Sequence, residues 1–508
     1  MLFNSYLFIF IFLPLTLLGW YGLNYCKRFE LAKVFLAGMS LWFYGYFNFY
    51  YLAIILVSIA VNYLLSLLLS FANVKFIAAG SAKIKLCNRI GLLIGVSFNL
   101  GLLFYFKYYD FFVENLNYAF HADFTLKHIL LPLGISFFTF QQLSFIIDRC
   151  LGRAEHYSFT NYVTFVTFFP QLIAGPIVLY KEMIPQFEDT KNRSFNAQNF
   201  SQGIVLFVLG LTKKVLLADV FALAVNYGFA QTFSLDTPST ILVILSYTFE
   251  IYFDFSGYSD MALGLGRMFN IMLPVNFNSP YLACSVKELW QRWHITLSRF
   301  FITYVYIPLG GSKKGKLRTI FNTIIVFFLS GLWHGAAWTY IAWGTMQGLL
   351  VVWDNLGIVG IKGREEKRPA KFHIPAWLGW ICTFAFFNLS LFFFRSQSMA
   401  GALQMFKNLG ALNYNGKMFE VASTLSIPEF YMIEEAFSIL APGMTGYAYL
   451  ALLLFYLAFS FFLISRKNAL QIATDGKMSS KKCWMVSILF VWCIISLSQV
   501  STFLYFNF

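Results

Sequence analysis

Residues 50–71, YYLAIILVSIAVNYLLSLLLSF, run without one charged side chain. An α-helix rises about 1.5 Å per residue, so this stretch is long enough to cross the ~30 Å hydrocarbon core of a bilayer. Outward from it, further apolar runs lie near 3–25, 34–48, 90–106, 129–147, 203–222, 240–257, 320–335, 338–356, 376–394, 446–464 and 484–503, twelve in all. The whole chain agrees: of 508 residues, 59% are hydrophobic and 12% charged. That is half the roughly 25% charge with which a soluble chain covers its surface. The expected fold is therefore all-α: a polytopic integral membrane protein of about twelve transmembrane helices. The same balance excludes a disordered or collagen-like chain, and seven cysteines without a CxxC pair exclude a disulfide scaffold.

Loop charges orient the runs. Lys27, Arg28 and Lys33 follow the first; Lys75, Lys83, Lys85 and Arg89 follow the third; Arg149, Arg153, Lys191 and Arg193 follow the fifth. Lys313, Lys314, Lys316 and Arg318 precede the eighth, Lys362, Arg364, Lys367, Arg368 and Lys371 follow the ninth, and Arg466, Lys467, Lys477, Lys481 and Lys482 follow the eleventh. Every second loop is basic, which places those loops in the cytoplasm and both termini outside. The formal charge of +14 is thus topological, and it indicates membrane lipid as the surroundings and no nucleic-acid partner. The first run lacks a basic n-region and a small-residue cleavage site, so it reads as a retained span.

Two stretches resist a simple span. Residues 158–178 hold Pro170, Gly175 and Pro176, and residues 274–308 mix Trp with Lys, Arg and His. Irregular backbone at membrane depth survives only inside protein or beside a wet cavity, so re-entrant or interfacial segments are expected there around a central funnel. Without a repeat or a linker, residues 1–508 read as one membrane domain with a motif-rich core at 129–356.

Ionisable groups in apolar segments cost about 2.5–3.5 kcal/mol on insertion, so each needs a reason. His334, in GLWHGAAW between Trp333 and Gly335, suits a neutral general base or a core histidine bonded across helices. A continuous helix over 287–299 would align Lys287, Gln291, His294 and Ser298 on one face, with Glu288 and Arg292 as an i,i+4 pair and Trp290 and Trp293 on an interface-seeking side. Such a helix would line an entrance for an anionic ligand or lie on the inner leaflet. Asp254 and Asp260, six apart, point about 240° from one another, with Gly257 between them as a potential break; hydrogen bonding at a bend or cap is their bland role. Lys213 and Lys214 either pair with a buried acid, one of these aspartates being a candidate, or attract a phosphate-bearing donor. No phosphate loop, dinucleotide fingerprint, HExxH helix or GxSxG elbow occurs, and no metal cage is indicated.

The order of motifs goes further. FFPQLIAGPIVLYKEMIPQF (168–187), YTFEIYFDFSGYSDMALGLGRMFNIMLPVNFNSPY (247–281), SVKELWQRWHITLSRFFITYVYIPLGGSKKG (285–315) and LSGLWHGAAWTYIAWGTMQG (329–348) resemble the membrane-bound O-acyltransferase family. GISFFTFQQLSFIID (134–148), FFFRS (392–396) and the tail FLYFNF are similar to its bacterial alginate O-acetyltransferase branch. That resemblance implies O-acyl transfer with catalytic histidines at His334 and His294, and substrate or donor contacts among Lys287, Gln291, Arg292, Ser298, Trp333, Trp338, Asp254, Asp260, Lys213 and Lys214. It implies no permanently bound cofactor, acetyl-coenzyme A or another acyl thioester as donor, a cell-surface polysaccharide acceptor, a periplasmic acetyltransferase partner and the bacterial inner membrane. Peptidoglycan and teichoic-acid D-alanylation are alternative acceptor systems, and a non-enzymatic transporter is the alternative class. Gln291-Arg292 and Leu179 depart from the branch, which often has basic residues there.

Overall fold

The computed structural model describes residues 1–76, 81–362, 370–476, 478–497 and 503–504. Arg364, Lys367, Arg368, Lys477 and most of the aromatic tail lie outside the described residues. Each of the twelve apolar runs falls on helix over most of its described residues, and one short parallel pairing of Val359–Ile361 with Phe372–Ile374 is the strand structure among the described residues. Long apolar segments become helical because an exposed backbone amide finds no water in hydrocarbon.

Six helical segments among the described residues are long and apolar enough to cross a membrane: Phe8–Tyr25, Phe49–Phe71, Lys83–Phe120, Lys316–His334, Ala376–Arg395 and Pro442–Ile464. The other runs fall short of that standard for visible reasons. Thr237–Met268 carries Glu250, Asp254, Asp260 and Arg267. Phe29–Gly45 and Ser480–Ser496 are only 17 residues long. Ile135–Cys150 is shorter still, at 16 residues, and is buried along nearly its whole surface, Gln141, Gln142 and Ser144 included.

The chain divides into two compact units, Met1–Phe207 with Met261–Val275, and Val208–Asp260 with Asn276–Phe508; it crosses between them three times, twice inside helices and once in the irregular stretch at 275–276. In the first unit, Phe8, Phe12 and Phe43 gather around Phe169 at centroid distances of 5.2–6.0 Å. Asn62 and Asn99 exchange amide hydrogen bonds between two lipid-length helices, at 3.2 and 2.7 Å. The Pro- and Gly-bearing stretch is irregular, as expected. Ser158 caps the helix Phe159–Thr167, which breaks at Phe168 before the short helix Phe169–Leu172.

In the second unit, the helix Thr237–Met268 runs unbroken through Gly257, contrary to the expected break. A Cβ on Gly257 would lie 2.8 Å from the carbonyl oxygen of Gly210, so the missing side chain admits a crossing backbone. Opposite it, the helix Ala197–Thr212 widens into a π-helical turn over Lys213–Ala218. Lys213 Nζ bonds Asp260 at 2.6 Å, while Lys214 Nζ bonds Asp254 at 2.7 Å and Asp219 at 2.8 Å. The two aspartates fix neither a bend nor a cap; each holds a lysine.

Candidate active site

The helix Lys316–His334 and the helix Trp338–Leu356 form a hairpin joined by Gly335, Ala336 and Ala337. Glycines set their separation. A Cβ on Gly331 would stand 2.3 Å from the Tyr340 carbonyl oxygen, and one on Gly344 would stand 2.4 Å from that of Phe327. Backbones in contact at these points fix where the last residue of the first helix, His334, is delivered. It is 3% exposed, ringed by Trp333, Trp343 and Phe394 at centroid distances of 4.9, 5.2 and 5.2 Å. A Gly344→Val side chain would force the two helices apart. We expect it to lower transfer activity at least tenfold in protein that still inserts, as measured by turnover at matched membrane expression.

The segment around His294 departs from the expected single helix. Val286–Arg292 and Ile295–Phe301 are separate helices, broken at Trp293 and at His294, whose φ is +44°. Lys287, Gln291, His294 and Ser298 therefore do not share one helical face. Lys287 and Gln291 are exposed, whereas His294 is fully buried. Ser298 Oγ bonds the Trp290 carbonyl at 3.4 Å. Trp290 and Trp293 pack inside the protein and not at a membrane interface. The Glu288–Arg292 pair is present at 3.0 Å, on a helix whose amino end Ser285 caps. Trp290 Nε1 donates to Gln347, whose amide donates to Ser390, so this short helix is tied to both neighbouring long ones.

Asn276, which the sequence reading passed over, holds the break. Its Oδ1 accepts from Thr296 N at 3.3 Å and Thr296 Oγ1 at 2.8 Å, and lies 3.2 Å from His294 Nδ1. A backbone N–H can only donate, so the Asn276 atom facing it is oxygen, and Nδ1 must carry the proton. The neutral ring then presents the Nε2 lone pair. Burial keeps the ring neutral by lowering its pKa to about 3. The strained left-handed backbone at His294, uncommon for a residue with a Cβ, is a signal that only coordinates display.

The two imidazoles lie edge-on to one another, with centroids 6.4 Å apart at 61°. Of the other sequence candidates, Trp333 joins them, at 5.8 Å from His294. Trp338 is exposed, and Arg292 is engaged with Glu288 and the Asn278 carbonyl. Lys213, Lys214, Asp254 and Asp260 form the ion pairs described above. The pair of buried histidines, one with its tautomer set by an amide and the other at a helix end, has the chemistry to accept and pass on a hydroxyl proton without a charged side chain.

The family of membrane-bound O-acyltransferases matches residues 151–396, a span containing both histidines. A peptidoglycan O-acetyltransferase of Helicobacter pylori is 37% identical over 100% of this chain and 98% of its own length. The chain belongs to the membrane-bound O-acyltransferase family. It is an O-acyltransferase. A probable alginate O-acetylase AlgI of Pseudomonas putida is 34% identical over the full length of both chains. Another, from Pseudomonas syringae pv. tomato, is 37% identical over 80% of this chain and 74% of its own. Within this O-acyltransferase, Asn276→Ala is expected to release His294 and lower turnover by about ten- to a hundredfold. Asn276→Asp keeps an acceptor there, but its negative charge raises the His294 pKa. Its acid limb of activity should therefore move to higher pH, which a pH–rate profile reads directly.

Proposed function

We propose that this O-acyltransferase moves acetyl groups from a cytoplasmic thioester, acetyl-coenzyme A, to hydroxyls of a cell-surface polysaccharide across the bacterial inner membrane. The acceptor oxygen attacks the thioester carbonyl as its proton passes to His334. The carbon–sulfur bond breaks, and the proton leaves on the thiol. His294, oriented by Asn276, steadies the donor or shares the proton. The observation that carries this reading is the juxtaposition of the two buried histidines in one aromatic chamber of an acyltransferase fold. The chemistry assigns no step to a metal or a resident cofactor.

Full-length similarity to both peptidoglycan and alginate O-acetylating relatives supports an envelope glycan as acceptor. Resemblance to the alginate O-acetyltransferase branch implies an alginate-like exopolysaccharide, and similarity across 98% of the Helicobacter pylori relative gives peptidoglycan equal standing. A periplasmic acetyltransferase partner is part of the same proposal, as an intermediate carrier of the acetyl group. Deleting the gene and assaying ester-linked acetate on isolated wall and on exopolysaccharide tests it. Loss from one fraction names the acceptor; unchanged acetate in both overturns the proposal.

A further inference from the structure

Gln347 touches neither histidine, yet it ties together helices that place them both. It lies in GTMQGLL, within an apolar run, and is fully buried. A primary amide among apolar side chains is costly unless its oxygen and its nitrogen are both bonded. Here both are satisfied by named partners. Gln347 Oε1 accepts from Trp290 Nε1 at 3.2 Å, and Gln347 Nε2 donates to Ser390 Oγ at 2.8 Å. Ser390 Oγ donates in turn to the Phe387 carbonyl at 2.7 Å. An indole nitrogen can only donate, so the amide has one orientation.

This run of bonds stands one helical turn from the rings around His334. Trp343 precedes Gln347 by four residues and Phe394 follows Ser390 by four, so each ring shares a helix face with its polar neighbour. Trp343 and Phe394 pack at 4.7 Å, and each lies 5.2 Å from His334. The short helix Val286–Arg292 joins them through Trp290. Its ring lies 5.7 Å from Trp343 and 5.2 Å from Phe327, while its Nε1 is held by Gln347.

Four residues beyond Trp290 comes His294, at the break between the two short helices. The same short helix is pinned at its amino end, where Lys287 N donates to Asp354 Oδ2 at 2.8 Å. Gln347 and Asp354 are seven residues apart, on one face of the helix Trp338–Leu356. Two anchors on that helix therefore set where the segment leading to His294 stands. The helix carrying them is the arm of the hairpin that follows His334, and Gln347 also binds the helix that bears Phe394. An apolar side chain at 347 would fill the same space but free the indole to turn, and with it the rings on which His334 rests.

We infer that Gln347 is a positioning residue for acyl transfer: its amide fixes the Trp290 ring and, through Trp343, the placement of His334 relative to His294. This rests on the proposed role of the two histidines. The test is steady-state transfer by the full-length protein in inside-out vesicles, with radiolabelled acetyl-coenzyme A as the varied substrate and rates normalised to folded enzyme. Gln347→Leu keeps the bulk of the side chain, and Trp290→Phe keeps an aromatic ring. Each should lower kcat about tenfold and leave the KM for acetyl-coenzyme A within about twofold. The double variant should show that same tenfold loss and no more, because both changes break one bond. It removes both partners at once, which a core tolerates better than losing one, so it serves equally where a single variant does not fold. Wild-type kcat per folded enzyme in Gln347→Leu or in the double variant, a loss confined to KM, or single losses that multiply to about a hundredfold would each overturn the inference. His334→Ala in the same assay separates it from the reading beneath it. Wild-type turnover there overturns both; a large loss there beside wild-type turnover in Gln347→Leu overturns the positioning role alone.

Discussion

His334→Ala should lower the rate of acetyl transfer by roughly 10²–10⁴-fold, the range that a positioned general base contributes. The substitution removes the imidazole but leaves the Gly331–Gly344 contact that sets the helix hairpin. Membrane insertion should therefore persist, and the loss should appear in turnover more than in abundance. Radiolabelled acetyl-coenzyme A supplied to inside-out membrane vesicles, with label counted in glycan and protein fractions, measures it at matched expression. His294→Ala should fall less far, since His294 sits one ring away and orients more than it transfers in the proposed reaction. Equal labelling by wild type and His334→Ala would move the chemistry elsewhere, and full substrate flux without acyl turnover would favour a transporter.

Lys214→Ala is expected to have the largest effect on stability, a loss of about 3–5 kcal/mol. Lys214 is 2% exposed and bonds both Asp254 and Asp219, so its removal takes one shared cation from two carboxylates at once. The tail adds to the same place. Leu504 N donates to Asp254 at 2.9 Å, and the Phe503 ring lies 4.7 Å from Lys214 Nζ. Thermal unfolding of the detergent-solubilised protein measures the effect. The double variant Lys214→Met with Asp254→Leu should recover part of the loss, because a buried pair replaced by apolar side chains is often tolerated where a broken pair is not. Lys213→Ala should cost less, since Lys213 and Asp260 keep 18% and 15% of their side-chain surface in solvent. Equal destabilisation by the two lysine variants would refute this ranking.

Much of this was legible in the chain. Twelve apolar runs became helices because a backbone without water nearby must bond to itself, and that rule needs only local composition. The irregular course of the chain over 158–178, with its prolines and Gly175, follows from the same local chemistry, as does the Glu288–Arg292 pair one helical turn apart. His334 stood out because an ionisable group in an apolar run is costly wherever it finally packs.

Other features depended on residues distant in sequence. Lys213 reaches Asp260 and Lys214 reaches Asp254 over separations of 47 and 40 residues, and nothing within either motif states the pairing. The helix expected over 287–299 was the clearest error. Its spacing was right for one helical face, yet three hydrogen-bonding contacts to Asn276 Oδ1 fix His294 in a left-handed conformation and turn the chain. By itself the sequence determined the membrane class, the helices and the residues capable of chemistry, because those follow from side-chain type and short-range period. Only the tertiary structure decided which charges neutralise one another, which nitrogen of His294 carries the proton and which helices Gln347 joins, because each depends on contacts that the chain makes after the helices have packed.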